Sequence, residues 1–172
     1  MRYPSLATTP LTGILLLASA ACSDPAGPGP DLPFVETSAP EFAVEIDGGS
    51  IDAAVVATFT NRTRRPVYFQ HCPPPLQLQV RHPGGDTWVD AYYPIFGCVG
   101  TTDTRKLDAG DSRTDTLHII GCHDGSCGPS FEVVEGADYR IVYGAATERD
   151  LSEVLPLEDR VSNTFRLVVT AD

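Results

Sequence analysis

The 172-residue chain carries 23 acidic against 12 basic side chains, a formal charge of −11. That balance excludes a nucleic-acid partner, whose phosphates need a basic face, and leaves anionic lipid reachable only through an apolar or covalent anchor. The length suits one domain with a real core, and 15 Gly with 15 Pro suit an all-β protein rich in turns.

At the N-terminus, Arg2 precedes the apolar run Leu11–Ala18. Eight residues interrupted by Thr12 and Gly13 cannot cross a bilayer core, so residues 1–21 are expected to be an export signal. The run ends in Ser19-Ala20-Ala21-Cys22, which resembles the lipobox of bacterial lipoproteins, with Ser19 standing where that family most often has Leu. The resemblance implies cleavage before Cys22, a diacylglyceryl group on its thiol and usually an acylated amine. With Ser23 next, it also implies delivery to the outer membrane where the cell has one. Each buried acyl methylene adds about 0.8 kcal/mol, so such an anchor is nearly permanent. Residues 22–40 then read as a lipidated Cys and a spacer. Pro25, Pro28, Pro30, Pro33 and Pro40 break up a segment without apolar periodicity, and its eighteen residues after Cys22 reach up to ~55 Å when extended.

Period-two alternation begins at Glu41. Phe42, Val44 and Ile46 alternate with acids, and Asp47-Gly48-Gly49-Ser50 turns the chain. Ile51, Ala53, Val55, Ala57 and Phe59 then alternate with partners that include Ala54 and Val56, the pattern of a strand covered on both faces at its centre. After the turn Asn61–Pro66, Val67–Phe69 begin a strand closed by Cys72; Leu76, Leu78 and Val80 alternate with Gln77, Gln79 and Arg81. Pro83-Gly84-Gly85-Asp86 is a hairpin signal into Thr87–Tyr93. An irregular aromatic-rich passage runs from Pro94 to Arg105, and Leu107–Asp111 is a further turn. Thr114–Ile120, Phe131–Val134, Tyr139–Ala145 and Asn163–Thr170 complete the strands, while residues 148–159 suit one helical turn or a loop. Residues 41–172 are therefore expected to form an immunoglobulin-like antiparallel β-sandwich of about eight strands.

Two resemblances bear on that body. Glu135–Ile141 resembles the start of strand F in immunoglobulin-like domains, which implies that the Tyr139 hydroxyl bonds to the chain a few residues upstream. Ile141 stands where antibody domains carry a cysteine, and Trp88 comes too late for strand C, so antibody-type recognition does not follow. Asn61, Cys72, Gly85-Asp86-Thr87-Trp88, Leu107–Asp111 and Ser162-Asn163-Thr164-Phe165 together resemble small secreted immunoglobulin-like domains of bacteria, an outline shared by a proteinase-inhibitor-like family.

With Cys22 assigned to lipid, Cys72, Cys98, Cys122 and Cys127 remain, an even number in an exported protein. Three pairings are open. Asp124-Gly125 is a strong two-residue turn that would place Cys122 opposite Cys127 at roughly 4.5 Å between Cα atoms, leaving Cys72 with Cys98. A zinc site drawn from these cysteines with His71, His118 and His123 is the sharper alternative, but Cys-x4-Cys departs from structural-zinc spacing and an oxidising compartment consumes thiols. Blue copper fits poorly, because the sole Met is Met1. No metal and no cofactor are therefore expected.

The sequence contains no Gly-x-Ser-x-Gly, Walker, dinucleotide-glycine or His-Glu-x-x-His motif. Asp108, Asp111 and Asp115 lack EF-hand order and read as turn formers before a weak calcium site. Asn61-Arg62-Thr63 fits a glycosylation sequon, and Arg62, Arg64 and Arg65 form the one basic spot apparent in the sequence. Tyr92, Tyr93 and Phe96 are either a core plug pinned by Cys98 or a contact loop. The expectation is a membrane-anchored, extracytoplasmic binding or structural module without catalytic activity, its protein or envelope partner unspecified. An inhibitor presenting Tyr92–Gly97 to a secreted enzyme is the alternative, and a metal-dependent enzyme the third reading.

Overall fold

The computed structural model describes residues 34–71, 75–94, 103–123, 125 and 127–170. Eleven strands fill them: β1 (Val35–Thr37), β2 (Glu41–Asp47), β3 (Ser50–Thr60), β4 (Val67–Gln70), β5 (Leu76–Arg81), β6 (Val89–Tyr92), β7 (Thr104–Leu107), β8 (Ser112–Cys122), β9 (Asp138–Tyr143), β10 (Ala145–Ala146) and β11 (Arg166–Thr170). Only a 3-10 turn at Leu157–Asp159 breaks the all-β pattern.

One layer is organised around β3. Its full length pairs antiparallel with β8, from Ser50 opposite Cys122 to Thr60 opposite Ser112. Its other edge is divided between β2, through Ser50–Ala53, and β1, through Ala57–Phe59. β11 closes this layer by pairing with β2, in parallel rather than antiparallel sense.

The second layer is a long strand pair interrupted in the middle. β4 and β5 follow one another along β10 and β9, so Phe69 faces Ala145 and Leu76 faces Tyr143. Gly144 donates to the Pro75 carbonyl at 2.7 Å across the junction. Proline lacks the N–H that a ladder needs, which is why the strand divides at this point. β7 flanks β4 and β6 flanks β5.

The layers bury Val55, Phe59, Phe69, Leu78, Leu117, Ile119, Ile141, Tyr143 and Phe165 between them. Phe59 meets Phe69 edge-on at 5.1 Å and Tyr143 at 5.6 Å. The Tyr143 hydroxyl crosses to the Ala57 carbonyl at 2.8 Å, giving a fully buried phenol the partner it needs. Burial, then the nearby Asp115 carboxylate, pushes its pKa far above the ordinary phenol range.

Several boundaries differ from the sequence reading, each for a local reason. β1 falls in residues assigned there to the spacer, and Val35 is fully buried. Three residues are too few to show a period. Phe131–Val134 is not a strand, because its backbone is committed elsewhere: Phe131 N–H to Cys122 and Val134 N–H to the Tyr139 hydroxyl. β3 is covered on one face only, with Ala54 exposed and Val56 half-buried beside the Thr58–Thr114 and Thr60–Ser112 hydroxyl pairs. β7 begins at the end of the passage read as irregular and runs to Leu107, read as the start of a turn.

Candidate functional site

The outer face of β6–β5–β9 collects the most chemically varied side chains. Alternation along β5 sends Leu76, Leu78 and Val80 into the core and leaves Gln77, Gln79 and Arg81 half-buried on the other side. Register with β9 sets Arg140 opposite Gln79 and Asp138 opposite Arg81. On the far edge Gln79 faces Asp90, and an irregularity between Leu78 and Gln79 lets β6 carry one residue more than its partner. That extra residue turns Tyr92 inward while Asp90 and Tyr93 stay outside.

These groups form a connected network. Asp138 accepts from Arg81 Nη2 at 2.7 Å and is ion-paired with Arg166 Nη2 at 3.0 Å. Arg166 also donates to the Gly136 carbonyl. Arg140 Nε donates to Gln79 Oε1 at 2.9 Å, and the Gln79 amide donates to Asp90 Oδ1 at 3.0 Å. The Tyr93 hydroxyl donates to Asp90 Oδ2 at 3.3 Å. The guanidinium carbons of Arg81 and Arg140 lie 5.0 and 4.3 Å from the Trp88 ring centroid. Among the described residues Arg140 has no carboxylate within ion-pair distance. Burial, then the like charge of Arg81, lowers its pKa. Burial, then Asp90, raises that of Tyr93. A shallow hollow of about 500 Å³ adjoins the network, lined by Arg81, His82, Gly84, Asp86, Asp138 and Arg166 among others. The sequence reading missed this cluster, since its three arginines lie on β5, β9 and β11. Its one local signal is the wet side of the Gln77-Gln79-Arg81 alternation.

The residues singled out from sequence are dispersed. Tyr92, read as a contact residue, is only 4% exposed. Its hydroxyl accepts from Ile120 N–H at 3.2 Å and donates to Ile120 C=O at 3.1 Å, standing in for a strand beside β8. Tyr93 is 55% exposed, and Phe96 lies outside the described residues, as do Cys22, Cys72 and Cys98. Cys122 and Cys127 form a disulfide with 5.5 Å between Cα atoms. The separation exceeds the ~4.5 Å expected of a facing, non-hydrogen-bonded hairpin pair, because the Cys122 backbone pairs with Pro129 and Phe131 rather than with Cys127.

His71 accepts at Nε2 from Arg105 at 3.0 Å, while His118 on β8 and His123 just after it are exposed. Among the described residues no group of three His, Cys, Asp or Glu could hold a metal ion. Asp108 is paired with Lys106 and Asp115 with Arg113. Arg62, read as part of a solvated basic spot, has a side chain only 12% exposed, with Glu36 3.9 Å away.

Asn61 is fully buried and works as a structural clasp. Its Nδ2 donates to the carbonyls of Arg65 and Leu107, and its Oδ1 accepts from the N–H and hydroxyl of Thr63. Its backbone closes on Asp111 and Gly110. A side chain so enclosed is not a glycan acceptor in the folded protein. Tyr139 does what its surroundings imply, its hydroxyl accepting from Val134 N–H at 2.8 Å.

No protein-family model matches the chain, and no curated protein does. Among solved structures it is similar to a beta-glucosidase from Listeria innocua, with 12% identity and a TM-score of 0.28. The match takes in 77% of this chain and 15% of that one.

Proposed function

We propose that this protein is a lipid-anchored, extracytoplasmic binding module that offers the outer face of β6–β5–β9 to a partner and acts by contact rather than catalysis. The observation that carries the reading is the Cys122–Cys127 disulfide, a bond suited to an oxidising compartment. It joins a chain whose first 21 residues read as an export signal ending at Cys22. The character of the face supports contact. Asp138 and Asp90 are each held by two donors, an arrangement suited to fixing side chains for recognition rather than freeing an acid or base.

The test is lipidation in the producing cell. Radiolabelled palmitate should enter the wild-type protein and hold it in the membrane fraction. Cys22→Ser should lose the label and appear among soluble exported proteins. An unlabelled wild-type protein retained in the cytosol with reduced thiols would refute the reading. The inhibitor reading gains some support from Tyr93, exposed where the chain leaves β6. Tyr93→Ala should then relieve inhibition of a secreted protease by the purified protein.

A further inference from the structure

We propose that the outer face of β6–β5–β9 binds an acidic glycan, seating a sugar carboxylate at Arg140 and Arg81 and packing sugar rings against Trp88 and Tyr93. This deepens the binding-module reading and rests on it.

Charge is the first argument. Arg81 and Arg166 already share the Asp138 carboxylate, and Arg140 stands beside Arg81 bonded only to the neutral Gln79 amide. Asp90 is held by Gln79 and Tyr93, and Asp86 lines the hollow on the Arg81 and Arg166 side without an ion pair to Arg140. Arg140 therefore keeps an uncompensated charge beside Arg81, two like charges converging on one indole. A carboxylate placed there would relieve that repulsion and gain charge-assisted hydrogen bonds from planar donors that match its shape. The rest of the molecule is strongly acidic. It would repel a long polyanion, so the seat suits a short acidic oligosaccharide.

Shape is the second. Trp88 and Tyr93 flank β6 on the edge of one face, roughly 13–16 Å apart at ~3.3 Å per residue. That spacing leaves room for a short oligosaccharide. Between them Gln77 lies on the same side of β5 as Gln79, whose amide fixes Arg140 and Asp90 in place. An extended acidic peptide would instead seek an open strand edge for its backbone. This face offers side chains, so a glycan fits it better.

The chain has a single tryptophan, so its emission reports on this site alone. The full-length purified protein would be titrated with two uronate hexasaccharides, one from hyaluronan and one of galacturonate. The same sugars with reduced carboxyls, and hexaglutamate, serve as comparisons. Saturable quenching or shift of Trp88 emission is expected with a uronate hexasaccharide and not with its reduced form. Arg140→Gln should weaken binding about tenfold or more, the scale of a lost hydrogen bond to a charged group. Tyr93→Ala, at an exposed position that leaves the core untouched, should weaken it as well, whereas Arg64→Gln should have no effect. The proposal is overturned by no response to either uronate sugar, by equal affinity for the reduced sugars, by Arg140→Gln and Tyr93→Ala both binding as wild type, or by hexaglutamate binding at least as tightly. Such a failure leaves the anchored-module reading standing, because palmitate labelling at Cys22 is read independently of any ligand.

Discussion

Two side chains concentrate polar stabilisation that their neighbours cannot replace. Asn61 makes four side-chain hydrogen bonds at a site closed to solvent, joining its own turn to the end of β7. Asn61→Ala leaves those groups without partners and should destabilise the fold by about 2–4 kcal/mol, read from the urea midpoint at unchanged slope. Tyr139→Phe removes one acceptor from Val134 and should cost about 1–2 kcal/mol in the same assay. The buried phenols also set an alkaline limit. Tyr139 and Tyr143 have pKa values raised first by burial, so they stay neutral in the fold while the unfolded chain ionises near pH ~10. The stability they hold is complete below that pH and is lost above it. Ultraviolet phenolate absorbance should therefore appear in two stages, the second coinciding with loss of circular dichroism. Tyr139 was legible in the sequence because a Tyr after Gly-Ala-Asp has a known geometric duty. Asn61 was visible as a turn residue and a sequon but not as a clasp, since the carbonyl of Leu107 lies 46 positions away.

At the scale of elements, alternation revealed the strands that bury one full face. β3, β5 and β9 stand where the period puts them. Short pieces such as β1 and β7 were invisible, because their pairing is decided by β3 and β4 and not by their own few residues. The candidate face shares that limit, since register between β5 and β9 assembles it and no local motif encodes register. β8 shows how a long strand at the margin of a sheet is managed. Tyr92 bonds Ile120, residues 129–131 bond Cys122, and the Arg113–Asp115 pair points inward beside Phe69. A methyl group at Gly121 would collide with the Pro129 carbonyl. Gly121→Ala should force residues 129–131 off the strand and cost about 1–3 kcal/mol, with amide exchange at Cys122 and Phe131 rising first. Cys122→Ala with Cys127→Ala opens a small loop and should cost only about 2 kcal/mol, leaving a folded protein by circular dichroism.

For the whole molecule, the direction of entry matters most. The chain joins the sandwich at Phe34, whose carbonyl accepts from Thr60 N–H next to the Asn61 clasp. β4 starts from that same end, tied there by Asn61 to the carbonyls of Arg65 and Leu107, while Arg81 finishes β5 at the opposite end of the run. Under the anchoring proposed at Cys22, the sandwich would be held from the Asn61 end, with Arg81 and its neighbour Arg140 toward the opposite end of the β4–β5 run.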